Sequence, residues 1–250
     1  MIDSSELLTS ELGAMMETYG GKPVSERVSG VIKIPYLVLR SAATDLLFDR
    51  RYGVRTSGQI EPGDLGLNGH GCHGYRPAGW ITLRRILPPR EVTNHDVFID
   101  LGSGMGRVVL QAARYPFRKI IGVEISETLH DIARDNIDRN RRRPRCPDIE
   151  LVHADVLDYE FPDDVTVVFL YNPFQGQIFA TVLERLLQSV ERHPRPLRII
   201  YVNPIEERLF VGTGRIRHVR TVGGWRPNRE WSRSNSIRMY EIVYRPTRQR

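Results

Sequence analysis

Five short apolar runs, VFIDLG, KIIGVEI, IELVHAD, VTVVFLYN and LRIIYVNP, follow one another between residues 97 and 204, most of them separated by stretches of helical spacing. A strand with one face in water alternates apolar and polar residues. These runs are almost continuously apolar, so both of their faces must be covered. Strands of this kind alternating with helices predict a parallel sheet with helices on either side. Right-handed crossovers then make it doubly wound. Two later runs, GRIRHVRTVGG and SIRMYEIVYRP, have no helical pattern between them and predict an antiparallel hairpin at the edge of the sheet. The expected fold is therefore α/β, with a doubly wound, mostly parallel, seven-stranded sheet.

Residues 1–90 lack this rhythm. SSELLTSELGAMMETY predicts a helix capped at Ser4 or Ser5 and stopped by Gly20 and Gly21, and Pro35–Tyr52 predicts another. The following TSGQIEPGDLGLNGHGCHGYRPAGW is rich in glycine and proline and predicts loop. The chain thus divides into an N-terminal extension, 1–90, expected to serve as lid and substrate region, and a ligand-binding domain, 91–250. A net charge of +6 is modest at 250 residues and admits an anionic partner without requiring one. The two cysteines, Cys72 and Cys146, exclude a disulfide framework, leave a single bridge open, and fit a reducing compartment. No run approaches the roughly 18 apolar residues needed to cross a bilayer. The N-terminus lacks the basic-then-apolar order of a leader. The expected location is cytoplasmic, without a membrane partner.

Two conspicuous clusters carry less. His70, Cys72 and His73 in HGCH offer metal-binding atoms, but a structural zinc site takes four ligands from two clusters, and Cys146 has no ligand beside it. No metal is expected. The basic run from Arg139 to Cys146 stands between a predicted helix and a strand, with no aromatic beside it to stack on bases. It reads as a solvated face, and a small molecule or protein is favoured over nucleic acid as acceptor.

The glycines after the first apolar run point to a ligand. In doubly wound sheets ligands lie beyond the carboxyl ends of the strands, where Gly102, Gly104 and Gly106 stand. Without a Cβ, the backbone there turns sharply and lets a ligand reach its N–H groups. Glu124 ends the second run, where a carboxylate can accept both hydroxyl hydrogens of a ribose. Asp155 ends the third, where a carboxylate can receive an adenine amino group. Dinucleotide sites use G-x-G-x-x-G over a pyrophosphate. Here the spacing is G-x-G-x-G, and Asp100 stands two residues before it. An acid there repels a pyrophosphate and suits a ligand with an ammonium group, such as S-adenosylmethionine.

FIDLGSGMGR, GVEIS, HADVLD and FLYNPF, in this order, resemble the class I S-adenosylmethionine-dependent methyltransferases, whose Rossmann-like sheet also ends in an antiparallel strand. The resemblance implies that Asp100 and the loop Gly102–Gly106 hold the methionine part, Glu124 the ribose and Asp155 the adenine. Asn172 then falls where amine-methylating members carry Asn or Asp, two prolines and an aromatic, and where the amide accepts hydrogen bonds from the target nitrogen. This chain has one proline there, so Asn172 reads either as that amide or as a turn residue before Pro173. The lead-in FDRRYGVRTSG is loosely similar to the Dot1-like protein lysine methyltransferases, and Tyr75 is a candidate lid residue over the cofactor. The expectation is a methyltransferase using S-adenosylmethionine, with an amine nitrogen slightly favoured as acceptor. The competing readings are a non-catalytic S-adenosylmethionine-binding regulatory protein and an RNA methyltransferase.

Overall fold

All five residues of β1 (Val97–Leu101) are buried, as a strand at the centre of a two-sided sheet must be. The computed structural model describes residues 43, 45–58, 60–65, 74–140, 145–223 and 236–243. The other strands are β2 (Lys119–Glu124), β3 (Asp148–His153), β4 (Val167–Leu170), β5 (Leu197–Val202), β6 (Ile216–Val222) and β7 (Ile237–Ile242). They form one seven-stranded sheet in the order β3-β2-β1-β4-β5-β7-β6. Strands β2 to β5 run parallel to β1, and β7 is antiparallel to both β5 and β6. The helices are α1 (Thr82–Ile86), α2 (Arg107–Ala112), α3 (Glu127–Asn140), α4 (Gly176–Arg192) and α5 (Glu207–Gly212).

The order turns back between β1 and β4, since β2 leaves β1 on one side and β4 returns on the other. Such a reversal opens a crevice at the carboxyl ends of the two strands. The main apolar core below it gathers Ile99, Leu101, Val168 and Leu170 from the sheet with Phe179, Val182 and Leu186 of α4. Phe179 stacks on Tyr201 of β5 with centroids 5.3 Å apart, fixing the start of α4 against the sheet.

The terminal hairpin is antiparallel at the sheet edge as expected, but its second strand is the inner one. The chain passes outward from β5 through α5 to the outermost β6, then returns as β7 into the space beside β5. Helix α5 was not expected; six residues carry less than two turns of periodicity. On α3, Leu129, Ala133 and Ile137 are buried as the spacing predicts. Thr128 is exposed, while Asn136 is buried beside those three at 1% exposure. Its carboxamide bonds both polar atoms of the Arg55 backbone and the carbonyl of Met105. Ser126 caps α3, its hydroxyl accepting from Leu129 N–H at 3.4 Å.

The expected helix over residues 4–19 lies outside the described residues. Of that expected over Pro35–Tyr52, the described end is a π-helical turn, Asp45–Asp49, followed by Arg50–Tyr52 in α geometry. The chain divides into two compact units, Met1–Arg51 and Tyr52–Arg250. Among the described residues no helix is long and apolar enough to cross a membrane.

Candidate active site

The crevice at the carboxyl ends of β1 and β4 is lined by most of the residues that the sequence pattern singled out: Tyr75, Asp100, Gly102, Gly104, Glu124, Asp155 and Asn172. Its open volume, mouth included, is about 970 Å³. One wall is the turn after β1. Gly102 and Ser103 donate their N–H groups to Val123 O at 2.9 and 3.0 Å, and Gly106 N–H closes the turn on Ser103 O. Gly102, Gly104 and Gly106 have φ of 77°, 54° and 79°, in the left-handed region where a Cβ is penalised.

Each glycine answers to a different neighbour. A Cβ on Gly102 would stand 2.4 Å from Pro173 Cβ, so the turns after β1 and β4 touch. On Gly104 it would stand 2.4 Å from the ring of Tyr75. Gly106 lies behind the lining, where a Cβ would come within 3.2 Å of Ala133 Cβ. Its place is explained by the packing of α2 on α3.

Asp100 is 2% exposed, and its Oδ2 is buried with no hydrogen-bond partner among the described residues. Burial, and then the neighbouring Glu124 carboxylate, push its carboxyl well above the ordinary aspartate range. A buried acid without a cation is costly, and a ligand bringing an ammonium group relieves that cost. Glu124 is already engaged on both oxygens: Oε2 accepts from Gly104 N–H at 2.7 Å and Oε1 from Ser126 N–H at 3.0 Å. Burial raises its pKa against the opposing effect of these backbone bonds. Each oxygen keeps a second lone pair for a hydroxyl. Asp155 accepts from Leu157 N–H at 2.8 Å and so also shapes the turn after β3.

If Glu124 receives ribose hydroxyls, Glu124→Ala should weaken S-adenosylmethionine binding by about 2–3 kcal/mol, the scale of hydrogen bonds to a charged acceptor. Because the same carboxylate holds two backbone donors, the melting temperature should fall as well. Calorimetric titration beside a thermal melt reads both, and unchanged affinity removes Glu124 from the ligand's contacts.

Asn172 follows β4 at φ 43°, is 7% exposed, and has a buried Oδ1 without a partner among the described residues. Phe174, next but one, is buried, its ring 6.2 Å from that of Phe179. The Tyr75 ring packs with Met105 and Leu129, and its hydroxyl donates to Thr56 O at 2.7 Å. His153 is exposed, with Nε2 3.0 Å from Ile125 O.

Sequence reasoning missed the polar side chains that hold residues 56–57 and 78–83 beside this wall. Arg107 is 5% exposed and bonds Thr56 Oγ1 at 2.8 Å, Ala78 O at 3.0 Å and Ser57 Oγ at 3.1 Å, with its guanidinium over the Trp80 ring. Gln111, one turn further on, accepts from Leu83 N–H and donates to Gly79 O. The available signal was a polar pair at i and i+4 on a helix otherwise apolar all round, RVVLQA. His70, Cys72 and His73 lie outside the described residues, and among the described ones no three His, Cys, Asp or Glu are grouped to hold a metal.

Comparison with known proteins matches residues 81–205, half of the chain, to the family described as histone methylation protein DOT1. The chain is 32% identical over 107 residues to a histone-lysine N-methyltransferase, H3 lysine-79 specific, of Dictyostelium discoideum, covering 39% of this chain and 5% of that protein. It is 26% identical over 154 residues to a protein-lysine N-methyltransferase of Saccharolobus islandicus, covering 61% of this chain and 80% of that protein. It is also 29% identical over 136 residues to a ribosomal RNA small subunit methyltransferase A of Acidothermus cellulolyticus, covering 53% of this chain and 44% of that one. The family match begins in α1 and ends just past β5, spanning the glycine turn, the three carboxylates and Asn172. The chain therefore belongs to the DOT1 family of histone methylation proteins and, with it, to the class I S-adenosylmethionine-dependent methyltransferases.

Proposed function

We propose that this methyltransferase acts on an amine nitrogen, the ε-amine of a lysine in a protein. The observation that carries this reading is the buried, unpartnered Oδ1 of Asn172 in the cleft that Asp100 and the glycine turn also line. An amide oxygen accepts an N–H from a primary amine and favours the positive charge that grows on the nitrogen as it attacks. An attacking hydroxyl or carbon gives it less to do. The names of the Dictyostelium and Saccharolobus relatives agree with a lysine acceptor.

In the proposed site Asp100 pairs with the ammonium of the cofactor, the turn Gly102–Gly106 carries its methionine part, Glu124 takes the ribose hydroxyls and Asp155 the adenine amino group. The Tyr75 ring, fixed through its hydroxyl, covers the turn. The bound cofactor supplies an electrophilic methyl group on a sulfonium. The chain contributes position and a dry wall: an in-line displacement that is already favourable gains most from holding nucleophile and electrophile in line. The incoming amine must be neutral: its lone pair would form the new N–C bond as the methyl–sulfur bond breaks, the sulfur would leave as a neutral thioether, and the methylated ammonium would give up one proton to solvent.

The test is transfer of a labelled methyl group to a cell lysate fractionated into protein, RNA and small molecules, followed by acid hydrolysis of the labelled fraction. Methyl-lysine in the protein fraction is the expected result. Label in RNA instead would favour the second reading, which the ribosomal RNA methyltransferase relative supports. No transfer to any fraction, with the cofactor bound, would leave a binding protein.

Asp100 gives a pH signature of the cofactor contact. Its carboxyl is raised above the ordinary aspartate range, so its contribution to the stability of the empty protein is present below that range and is lost as pH rises through the raised value. A bound ammonium favours the anion, so binding should expel a proton, and affinity should strengthen as pH rises from the ordinary aspartate range toward neutrality. Titrations at a series of pH values from the ordinary aspartate range upward, each in two buffers of different ionisation enthalpy, measure the released proton. Equal heats in both buffers would detach Asp100 from the ligand.

A further inference from the structure

We propose that Glu206 is a positioning residue for methyl transfer, acting by pinning the turn that carries Asn172; this rests on the reading of Asn172 as the amine-binding amide.

Neighbouring strands β4 and β5 both end in Asn-Pro, YNPF and VNPI, and both asparagines are left-handed, Asn172 at φ 43° and Asn203 at φ 52°. The first turn presents the Asn172 amide and leads at once into α4. The second brings Glu206 to the start of that same helix, where its Oε1 accepts from Gly176 N–H at 2.8 Å. Gly176 itself has φ +58° with open space around a would-be Cβ, so its glycine serves the backbone conformation. The first N–H groups of a helix have no intrahelical partner, and a carboxylate suits both the donor and the positive end of the helix dipole.

Glu206 is held in turn. Its own N–H donates to the hydroxyl of Tyr201 at 3.3 Å, and the buried Tyr201 ring stacks on Phe179 in the first turn of α4. Burial pushes the Tyr201 phenol up to about 12, so the hydroxyl stays protonated at neutral pH. The circuit Tyr201, Glu206, Gly176, Phe179 thus joins the turns after β4 and β5. At its other end the Asn172 turn meets the glycine turn through Pro173. Between these two anchors, Gly102 on one side and Glu206 on the other, the amide oxygen of Asn172 is fixed without a hydrogen bond of its own.

The test compares Glu206→Ala and Glu206→Gln in the full chain, using labelled S-adenosylmethionine and the lysate protein fraction as acceptor. Glu206→Ala should lower kcat by about ten-fold while the cofactor Kd stays within two-fold, because the cofactor wall keeps its own anchors. Glu206→Gln should restore kcat to within about three-fold, since its carbonyl accepts the same N–H. Amide exchange at Gly176 should speed up in the alanine variant and not in the glutamine one. In the Asn172→Ala background, Glu206→Ala should add no further loss, as expected of two residues acting through one contact. Full activity of Glu206→Ala beside a crippled Asn172→Ala would overturn the positioning role alone. Additive losses, or a cofactor affinity that falls along with kcat, would overturn it too. Full activity of Asn172→Ala would remove the reading beneath it.

Discussion

Gly104→Val should abolish S-adenosylmethionine binding while leaving a folded protein. Two costs meet at this position. The backbone is left-handed at φ +54°, where an L-residue loses about 1–2 kcal/mol and a β-branched one more. The Cβ would also stand 2.4 and 2.6 Å from two carbons of the Tyr75 ring. That ring is tied through its hydroxyl to Thr56 O, so the turn has to give way. Moving the turn breaks the Gly104–Glu124 bond and with it the arrangement of two of the proposed cofactor contacts. Calorimetric titration should show no heat of binding, with far-ultraviolet circular dichroism unchanged because the strands lie below the turn. Normal binding in this variant would reduce the glycine run to a tight turn. The double variant Gly104→Ala, Tyr75→Ala separates the two costs, since it removes the clash and keeps the unfavourable φ.

Asn172→Ala should lower methyl transfer by a factor on the order of 100 while cofactor affinity stays within a few-fold. The amide acts on charge that develops in the transition state, so turnover suffers more than binding. Alanine also tolerates the left-handed backbone at φ 43° less well than asparagine does. Asn172→Gly isolates the amide, because glycine keeps the conformation and lacks only the side chain. Equal losses in the two variants assign the effect to the amide, whereas an active glycine variant would assign it to the backbone. A loss of cofactor affinity matching the loss of rate would move Asn172 to the cofactor itself.

What the primary structure makes legible here is periodic or local. The continuous apolarity of VFIDL, KIIGVE and VVFL announces buried parallel strands, because a sheet covered on both faces leaves no polar alternation to read. The glycines, Asp100 and Glu124 are legible for a related reason: the topology brings every parallel strand's carboxyl end to one edge, so strand-end residues share a site whatever the loops do. Asn136 and Arg107 were illegible on the same logic. Polar residues on a helix are ordinarily solvated, and the acceptors that bury these two, in the segment from Arg55 to Ala78, stand about 80 and 30–50 positions away in the chain.

The sequence by itself therefore determined the sheet, its doubly wound order through β5 and the carboxylates gathered at its edge, since these follow from hydrophobic period and chain connectivity alone. Only the tertiary structure decided that β7 lies inside β6, that the Tyr75 ring rests on Gly104, and that Asp100 Oδ2 and Asn172 Oδ1 are buried without partners. It also decided that Glu206 reaches the start of α4. Each of these depends on which distant groups remain to satisfy a donor, an acceptor or a space once the core has closed. That is a property of the packed chain and not of any stretch of it.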